Sequence, residues 1–391
     1  MMPKAYPFIA ALCALCASSA RAEEVAPAID LSLTYTADSF AMVSGGSDHR
    51  LRYLDNLDLI ADADLDRLVG WHGARLHLYA LNNLGRRPND AAGSLQGIDN
   101  IEVPRARLKL YEAWIEQSLG ERVSLLVGLF DLNSEFYAND AAGLLISPAF
   151  GIGTELAATG SNGPSIFPST ALTARLSVRI GAAGYVRAAV INAHAAAVND
   201  PGGVDTGFHE GVLLISEAGV DGALGGKGKF AIGAWRYSKR QDDTRETDIT
   251  GAPLRHVARG AYVLAEYPVA SFGDDRELSA FARVGISDGK TGDFDGGWQA
   301  GVLVTGLFAQ RPDSQLSLGI TNASLASRFR RNLVDEGVDP TGSETIYELT
   351  YSDRLAPFLV VQPDLQWITD RGGDRATRNG LAAGMRVTFE F

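Results

Sequence analysis

Short runs in which apolar and polar residues alternate recur along the whole chain. In residues 29–35 (IDLSLTY) every second side chain is apolar, and the same period of two returns in residues 384–391 (GMRVTFEF). A β-strand places alternate side chains on opposite faces, so each run predicts a strand with one apolar and one polar face. Further runs of this kind are 74–80 (ARLHLYA), 172–180 (LTARLSVRI), 278–286 (LSAFARVGI) and 360–368 (VVQPDLQWI).

Turn sequences rich in glycine and charge separate these runs. They include 199–203 (NDPGG), 222–229 (GALGGKGK), 288–297 (DGKTGDFDGG) and 371–375 (RGGDR). About ten residues of alternation followed by a turn is typical of a transmembrane β-barrel, with its apolar face toward lipid and its polar face toward a wet lumen. The polar face carries arginine and carboxylates, which are costly in a dry core, so the pattern favours a water-filled channel.

The first 22 residues predict a cleaved export signal. Lys4 supplies the positive start, residues 8–17 form a short apolar run, and Ala20-Arg21-Ala22 fits an A-x-A cleavage site. The run is too short for a membrane anchor. Cleavage would remove both cysteines, excluding disulfides, and would change the formal charge from −12 to −14.

The length of the mature chain sets the number of strands. Residues 23–391 are expected to form a single barrel domain, and no apolar run there is long enough for a helical span. At roughly 20–25 residues per strand with its loop, the chain allows about 14–18 strands, and 16–18 strands leave an aqueous channel. We therefore predict an all-β fold, a 16-stranded antiparallel transmembrane β-barrel in the outer membrane of a diderm (Gram-negative) bacterium.

The chain ends in mid-pattern on an aromatic residue, Phe391. A barrel needs its last strand to pair with its first, which explains a strand patterned to its final residue. By resemblance to outer-membrane proteins in general, a terminal phenylalanine is also expected to be recognised by the barrel-assembly machinery. The alternative is an ordinary strand that happens to end the chain.

One long segment, residues 131–168, shows no sustained alternation. Such a segment in a compact domain is usually functional or disordered, and its apolar residues argue against disorder. We expect it to fold into the lumen as a constriction. The alternative is an extracellular loop packed on the rim.

Several stretches resemble the OprB-type carbohydrate-selective porins. They occur in that family's order and are 107–119 (RLKLYEAWIEQSL), 127–137 (VGLFDLNSEFY), 150–153 (FGIG), 163–168 (GPSIFP), 360–373 (VVQPDLQWITDRGG) and the final MRVTFEF. The resemblance implies a 16-stranded outer-membrane channel that passes glucose or other carbohydrates by diffusion. The alternative function is a general or ion-biased porin without a specific sugar site.

The candidate sugar-binding residues are polar and aromatic side chains on inferred lumen faces. Glu112, Trp114 and Glu116 share one strand face, where carboxylates can bind hydroxyl pairs and an indole can stack on a sugar. Tyr111 is expected on the opposite, lipid-facing side. The alternation changes phase just before it, which either a bulge near Tyr111 or a strand starting there would explain. The alternative places Trp114 in an interfacial aromatic girdle.

Further charged residues are expected to line the pore. They are Arg105 and Arg107 upstream of this strand, Arg75, Arg175 and Arg179 on other lumen faces, and Asp131, Asn133 and Glu135 at the start of the irregular segment. An arginine ladder facing carboxylates would set a field across the pore, whereas the alternative for each arginine is simple wetting of the lumen. Asp131, Asn133 and Glu135 either line the constriction or cap local turns.

Other chemistries are poorly supported. The negative net charge argues against nucleic-acid binding, and no cofactor or metal is predicted, because the six histidines are scattered and no EF-hand spacing occurs. An outer-membrane lipase or protease and a soluble β-sandwich are the remaining alternatives, and we do not expect an enzyme. The expected partners are carbohydrate solutes, outer-membrane lipid and the assembly machinery, with a monomer favoured over a trimer.

Overall fold

A computed structural model describes residues 27–197, 200, 202–222, 228–273 and 276–391 of the chain. The predicted export signal, residues 1–22, lies outside this part and stays a prediction. Across the described ranges, no helix combines the length and the apolar character needed to cross a membrane.

Strands make up most of the fold, and the helices are short. The strands are β1 (Ile29–Ser44), β2 (Arg52–Asp64), β3 (Ala74–Gly85), β4 (Arg107–Leu119), β5 (Val123–Phe130), β6 (Ala171–Ile180), β7 (Gly184–Asn192), β8 (Val212–Gly222), β9 (Gly228–Tyr237), β10 (Gln241–Thr247), β11 (Pro253–His256), β12 (Arg259–Ser271), β13 (Glu277–Ser287), β14 (Phe294–Thr305), β15 (Gln315–Leu325), β16 (Ser343–Ala356), β17 (Leu359–Thr369) and β18 (Gly380–Glu390). The α-helices are α1 (Leu65–Val69), α2 (Asn89–Ala92), α3 (Thr154–Ala157) and α4 (Ser327–Asp335), and single 3₁₀ turns span Leu132–Ser134, Asp140–Ala142, Pro148–Phe150 and Arg371–Gly373.

Sixteen of these strands close into one antiparallel barrel. Each barrel strand pairs with its two neighbours, and the ring closes where β1 meets β18. Closure gives every strand a partner on both sides, which is what a sheet in a bilayer requires. The predicted 16-stranded antiparallel barrel is confirmed.

The predicted alternation sets the two faces of the wall. In β6, Leu176 is 44% exposed on the outer surface, whereas Thr173 and Arg175 point inward and are almost fully buried. The same period holds in β17, where Leu365 and Trp367 face outward. The apolar face is therefore the lipid face, as expected for a membrane barrel.

The two ends of the barrel differ in the length of their connections. One end has tight turns such as 120–122, 181–183 and 357–358, and the other has long segments such as 86–106 and 131–170. Barrels of this kind have short periplasmic turns and longer extracellular loops. We therefore assign the long-segment end to the cell exterior.

Two of the long segments fold into the lumen instead of lying on the rim. The segment 131–170 does so, as expected for residues 131–168, and residues 86–106, whose inward path was not predicted, join it. Gln366 of β17 donates to the carbonyl of Ile98 at 2.8 Å, and the Ser147 hydroxyl donates to the carbonyl of Gly97 at 3.1 Å. The two in-folded segments thus contact the far wall and each other.

Inward-facing glutamates of the wall anchor the backbone of these segments. Buried N–H groups need acceptors, and a carboxylate oxygen is a strong one. In the segment 131–170, Glu112 accepts the N–H of Asp131 at 2.9 Å, Glu217 accepts that of Tyr137 at 2.9 Å, and Glu266 accepts that of Ala141 at 3.1 Å. Glu348 accepts the N–H groups of both Ile146 and Ser147 in the same segment. In the segment 86–106, Glu344 accepts the N–H of Leu95 at 3.0 Å. The segments are consequently fixed parts of the lumen.

A buried ion pair marks the closing seam. Arg386 of β18 lies directly opposite Asp38 of β1 and donates to its carboxylate at 2.9 and 2.7 Å. Arg386 also donates to Asn100 of the first in-folded segment at 2.6 Å. Phe391 follows the last strand, with its N–H bonded to the carbonyl of Leu33 at 2.9 Å and its ring 72% exposed.

The remaining strands, β10 and β11, form a hairpin outside the barrel, between β9 and β12 at the extracellular end. Its base is held by Asp243, which accepts from Arg328 of α4 at 2.8 Å. At its tip, Asp248 caps the backbone of Thr250, and Ile249 is fully exposed.

Candidate functional site

A β-bulge in β4 determines which side chains of this strand enter the lumen. Tyr79 of β3 pairs with Glu112, but the next residue, Ala80, pairs with Leu110, so Tyr111 is the extra residue. A bulge can turn two successive side chains to one face of a sheet. Tyr111 and Glu112 are both buried on the lumen side.

The expectation that Tyr111 faces lipid is therefore wrong, and of the two explanations for the change of phase, a bulge or a strand start, the structure shows the bulge. The Tyr111 hydroxyl donates to Asp131 at 2.6 Å, and its ring contacts that of Tyr79 edge-on with centroids 5.0 Å apart. A phenolic hydroxyl facing hydrocarbon would lack such a partner, and the bulge turns the Tyr111 hydroxyl toward Asp131 instead.

Trp114 lies inside the barrel, within a stack of planar groups. Its ring is parallel to that of His77, with centroids 4.6 Å apart, and the Arg75 guanidinium carbon lies 5.0 Å from its ring centroid. Its indole N–H points to Glu112 at 3.3 Å. Since Trp114 is only 8% exposed, its ring offers little free face to a sugar.

Five charged residues form a continuous arginine–glutamate chain along the wall from β3 to β7. Arg75 donates to Glu116 at 3.1 Å, and Glu116 accepts from Arg175 at 2.9 Å. Arg175 also donates to Glu135 of the in-folded segment at 2.5 Å. The last member, Arg187, lies 3.7 Å from the Glu135 carboxylate and donates to its main-chain carbonyl at 2.9 Å.

The accessibility of this arginine–glutamate chain varies along its length. The Arg75 side chain is 56% exposed, whereas that of Arg175 is 3% exposed. Glu116, Glu135 and Arg187 are partly exposed. The charges of the three arginines and two glutamates nearly cancel, yet hydrogen-bond donors and acceptors lie side by side along this part of the pore.

Asp131 and Asn133 serve local structure. Asp131 caps a 3₁₀ turn by accepting the N–H of Asn133 at 2.8 Å. The Asn133 amide donates to the carbonyls of Phe136 and Gly151 at 3.2 and 3.1 Å. Of the three candidates at the start of this segment, only Glu135 joins the arginine–glutamate chain.

The remaining predicted arginines lie away from the arginine–glutamate chain. Arg107 binds Asp200 of the β7–β8 loop at 2.6 Å, which ties the start of β4 to that extracellular loop. Arg105 precedes β4 and is exposed. Arg179 faces the lumen near the periplasmic turn after β6 and is also exposed.

Two central residues of the lumen were not among the predicted site residues. Glu217 accepts the hydroxyls of Tyr185 and Tyr262, both at 2.8 Å, besides the N–H of Tyr137. Arg283 is buried and donates to the carbonyls of Ala149 and Gly151 at 2.8 and 3.0 Å. An inward charge on an alternating strand was the available signal, but it does not reveal a partner that lies far along the chain.

A serine, a histidine and a glutamate meet at the extracellular end, but not as a nucleophilic relay. The Ser161 hydroxyl lies 3.0 Å from His194 Nδ1, and a Glu210 oxygen lies 3.4 Å from the same nitrogen. A serine hydrolase instead uses the two ring nitrogens separately, one for the serine and one for the carboxylate.

Comparison with known proteins adds a family and a set of similar folds. The family model described as carbohydrate-selective porin, OprB family, matches residues 48–391. Porin B of Pseudomonas aeruginosa is 24% identical over 420 aligned residues, which cover 95% of this chain and 89% of that protein.

Two solved structures share the architecture. The high-pH structure of Pseudomonas putida OprB superposes with a TM-score of 0.84 at 22% identity, covering 93% of this chain and 94% of that one. The outer-membrane channel DcaP of Acinetobacter baumannii superposes with a TM-score of 0.59 at 9% identity, covering 93% and 97%. At these identities the likeness is one of fold.

Proposed function

Because the chain belongs to the OprB family of carbohydrate-selective porins, we propose that it holds neutral sugars weakly at the arginine–glutamate chain as they diffuse through the barrel. The protein is a carbohydrate channel of the Gram-negative outer membrane. The residues that contact the sugar and the strength of their contacts are our proposal.

The observation that carries this proposal is the alternation of donors and acceptors on one wall. Guanidinium and carboxylate groups both make paired hydrogen bonds, which suits the adjacent hydroxyls of a sugar. Arg75, Glu116, Glu135 and Arg187 all reach the lumen. Their charges nearly cancel, so a neutral solute meets many partners without a strong net field.

The same arrangement favours weak binding. Each of these groups already has an ionic partner within the protein, so a sugar hydroxyl must share that group with its partner. A channel needs binding that is favourable enough for entry and weak enough for exit. Because Trp114 is enclosed by His77 and Arg75, we assign recognition to hydrogen bonds more than to ring stacking.

Single-channel recording in a planar bilayer tests this proposal. With glucose, maltose and sucrose titrated in turn, we expect stepwise conductance that one of the sugars blocks in a saturable way. Arg187→Gln should weaken that block by about tenfold, as expected for the loss of one charged hydrogen-bonding partner. Arg179→Gln removes an equal lumen charge outside the arginine–glutamate chain and should leave the block unchanged.

Two outcomes would contradict the proposal. Conductance without block by any sugar would indicate a general porin. Equal block in wild type and Arg187→Gln would move the sugar site away from the arginine–glutamate chain.

We also infer that one chain forms one channel and that the assembly machinery recognises Phe391. The closed β1–β18 seam supports the first point, because the ring needs no strand from a second chain. The exposed aromatic ring at the end of β18 supports the second. In the same recordings, closure in single steps is expected for a monomer, and closure in three equal steps for a trimer.

A further inference from the structure

Two arginines face each other on the outer, lipid-facing wall. Arg236 of β9 and Arg259 of β12 are directly opposite in register and both are exposed. They share their face with Ile232 and Val263, which are about half exposed toward lipid. Like charges directly opposite on a sheet repel each other, so this pair weakens the strand pairing unless an anion lies between them.

Their position is the extracellular edge of the membrane. β9 ends at Tyr237 and β12 begins at Arg259, and the hairpin β10–β11 connects them at the long-loop end of the barrel. This is the depth at which the headgroups of outer-leaflet lipids lie.

Neither guanidinium has an acceptor among the described residues. The nearby carboxylates are engaged by their own loops: Asp288 accepts the N–H of Lys290 and the hydroxyl of Thr291, at 3.1 and 3.0 Å. The Asp243 carboxylate lies 3.1 Å from His256 and also binds Arg328.

Several charged groups of the outer wall and the outer loops, by contrast, have partners within the chain. Asp55 on the outer face accepts hydrogen bonds from the Tyr35 and Tyr53 hydroxyls, each at 3.0 Å. The exposed loop arginines Arg50 and Arg375 bind Asp48 and Asp339 at 3.3 Å. Arg236 and Arg259 differ from a single unpartnered loop arginine because they lie directly opposite each other on the lipid-facing wall, and this placement of like charges indicates an external anion.

A groove on the outer wall includes the arginine pair, and its upper part is also lined by His256 and Asp288. It has a volume of about 730 Å³, Lys290 is part of its lining, and the outward side chains of Ala234, Ala261 and Ile286 form its apolar lower part. Through Ala234 it adjoins a second groove of about 550 Å³ over β5–β9, lined by Leu176 and Leu214 among others. Cations above a hydrocarbon-lined groove match a lipid that carries a phosphate above acyl chains.

We propose that Arg236, Arg259 and Lys290 bind the phosphate of an outer-leaflet lipid, with an acyl chain along the groove below them. Paired guanidinium groups bind phosphate oxygens bidentately, and the anion removes the repulsion between the two arginines. The ligand class is a phosphorylated membrane lipid, and the site is separate from the sugar path because these side chains point out of the barrel.

Native mass spectrometry of the full mature protein in detergent micelles tests the site, with bisphosphorylated hexa-acyl lipid A as the probe. We expect Arg236→Gln/Arg259→Gln to weaken binding by at least about tenfold, because each basic residue near an anionic headgroup contributes to the attraction. Arg50→Gln/Arg375→Gln removes the same charge from other extracellular loops and should bind like the wild type. Chemically dephosphorylated lipid A should bind the wild type as weakly as lipid A binds the double variant.

Equal binding of lipid A by the double variant and the wild type would overturn the proposal. Equal binding of the phosphorylated and dephosphorylated lipids by the wild type would do the same, and this comparison holds even if the double variant does not fold. Displacement of lipid A by millimolar inorganic phosphate would indicate a site for free anions, again contradicting a lipid site.

Discussion

Asp131 shows how one buried carboxylate connects the barrel wall to the in-folded segment. It accepts from the Tyr111 hydroxyl and from the N–H of Asn133, and its own N–H donates to Glu112. Burial raises the pKa of Asp131 from an ordinary 3.8 to about 6, against the opposing effect of the Tyr111 hydrogen bond. The folded protein therefore binds this proton more tightly than the unfolded chain does.

The sign of the resulting pH dependence follows from linkage. Between pH 4 and 6 the folded state holds more protons than the unfolded state at this site, so stability falls as the pH rises through that window. Each unit of pKa difference corresponds to about 1.4 kcal/mol. Asp131→Asn cannot titrate, and we expect it to lose less stability than the wild type between pH 4.5 and 7.

Urea unfolding of the refolded protein in micelles at several pH values measures this difference. Asp248→Asn is a suitable control, because hydrogen bonds from Thr250 lower the pKa of Asp248, which then titrates below the window. If the free energy of unfolding changed with pH by the same slope in the wild type and in Asp131→Asn, folding would leave the proton affinity of Asp131 unchanged.

For single residues, the sequence predicted which strand faces carry charge, but it did not predict every hydrogen-bond partner. Glu112, Trp114 and Glu116 share the lumen face, as their alternation indicates, and the change of phase left either a bulge or a strand start near Tyr111. The pattern could not specify that the bulge turns Tyr111 inward, since that depends on the partner strand. It also left open whether Asp131 caps a turn or lines the pore, and the structure assigns it to the cap.

At the scale of the elements, the in-folded segment 131–170 packs closely against a glycine of the barrel wall. A Cβ added to Gly285 of β13 would overlap the Glu155 carboxylate and the Tyr137 hydroxyl. Those two groups form a hydrogen bond of 2.5 Å, and burial raises the pKa of Glu155. The wall therefore leaves space for α3 at this point.

Gly285→Ala should displace α3 from the wall while the barrel itself still forms. Overpacking of this kind costs about 1–3 kcal/mol, and the movable segment yields more readily than the strand ladder. We expect an altered single-channel conductance and weaker sugar block, with heat-modifiable gel migration retained.

Gly292→Ala is the matched control, because its added Cβ would lie 3.6 Å from the nearest atom, an ordinary contact. Wild-type conductance in Gly285→Ala would show that the segment does not set the width of the channel.

The elements differ in how far the sequence predicts them. Alternation predicts the strands, because one face meets lipid and the other meets water along the whole wall. The length and irregular composition of residues 131–168 predict a special segment. Nothing comparable marks residues 86–106, whose partners lie far along the chain: Ser94 donates to Glu344, 250 positions away. Such contacts depend on barrel closure, which no local pattern encodes.

For the whole molecule, closure depends on a pair of strands from opposite ends of the chain. Asp38 and Arg386 join them in a buried pair, and Asp99 of the first in-folded segment lies 3.7 Å from the same guanidinium. Burial and the proximity of Asp38 raise the pKa of Asp99, so Asp99 holds its proton more tightly than a free carboxyl and the ion pair of the seam is that between Arg386 and Asp38.

Arg386→Met should destabilise the purified barrel strongly. Removing one partner of a buried ion pair typically costs about 3–5 kcal/mol, because the remaining charge is left uncompensated. The temperature at which the heat-modifiable folded form disappears should fall, and Asp38→Asn/Arg386→Met should recover part of the loss.

Phe391→Ala also changes a residue at the β1–β18 seam, but it is expected to affect assembly in cells and not the stability of the refolded barrel. Its exposed ring contributes little to the refolded barrel, so its thermal stability should match the wild type. In cells, however, the amount of protein in the outer membrane should fall if the assembly machinery reads this residue. Wild-type stability in Arg386→Met, or wild-type amounts of Phe391→Ala in the membrane, would contradict these expectations.

The hairpin β10–β11 has a consequence for how the channel can be extended. Its strands pair only with each other, and its base is fixed by Asp243 and Arg328, so residues added at the tip near Ile249 would leave the barrel register unchanged. A peptide grafted there would stand on the cell surface, open to antibodies or phage, while sugars continue to pass beneath it. The hairpin thus gives this channel a site for surface display that is independent of transport.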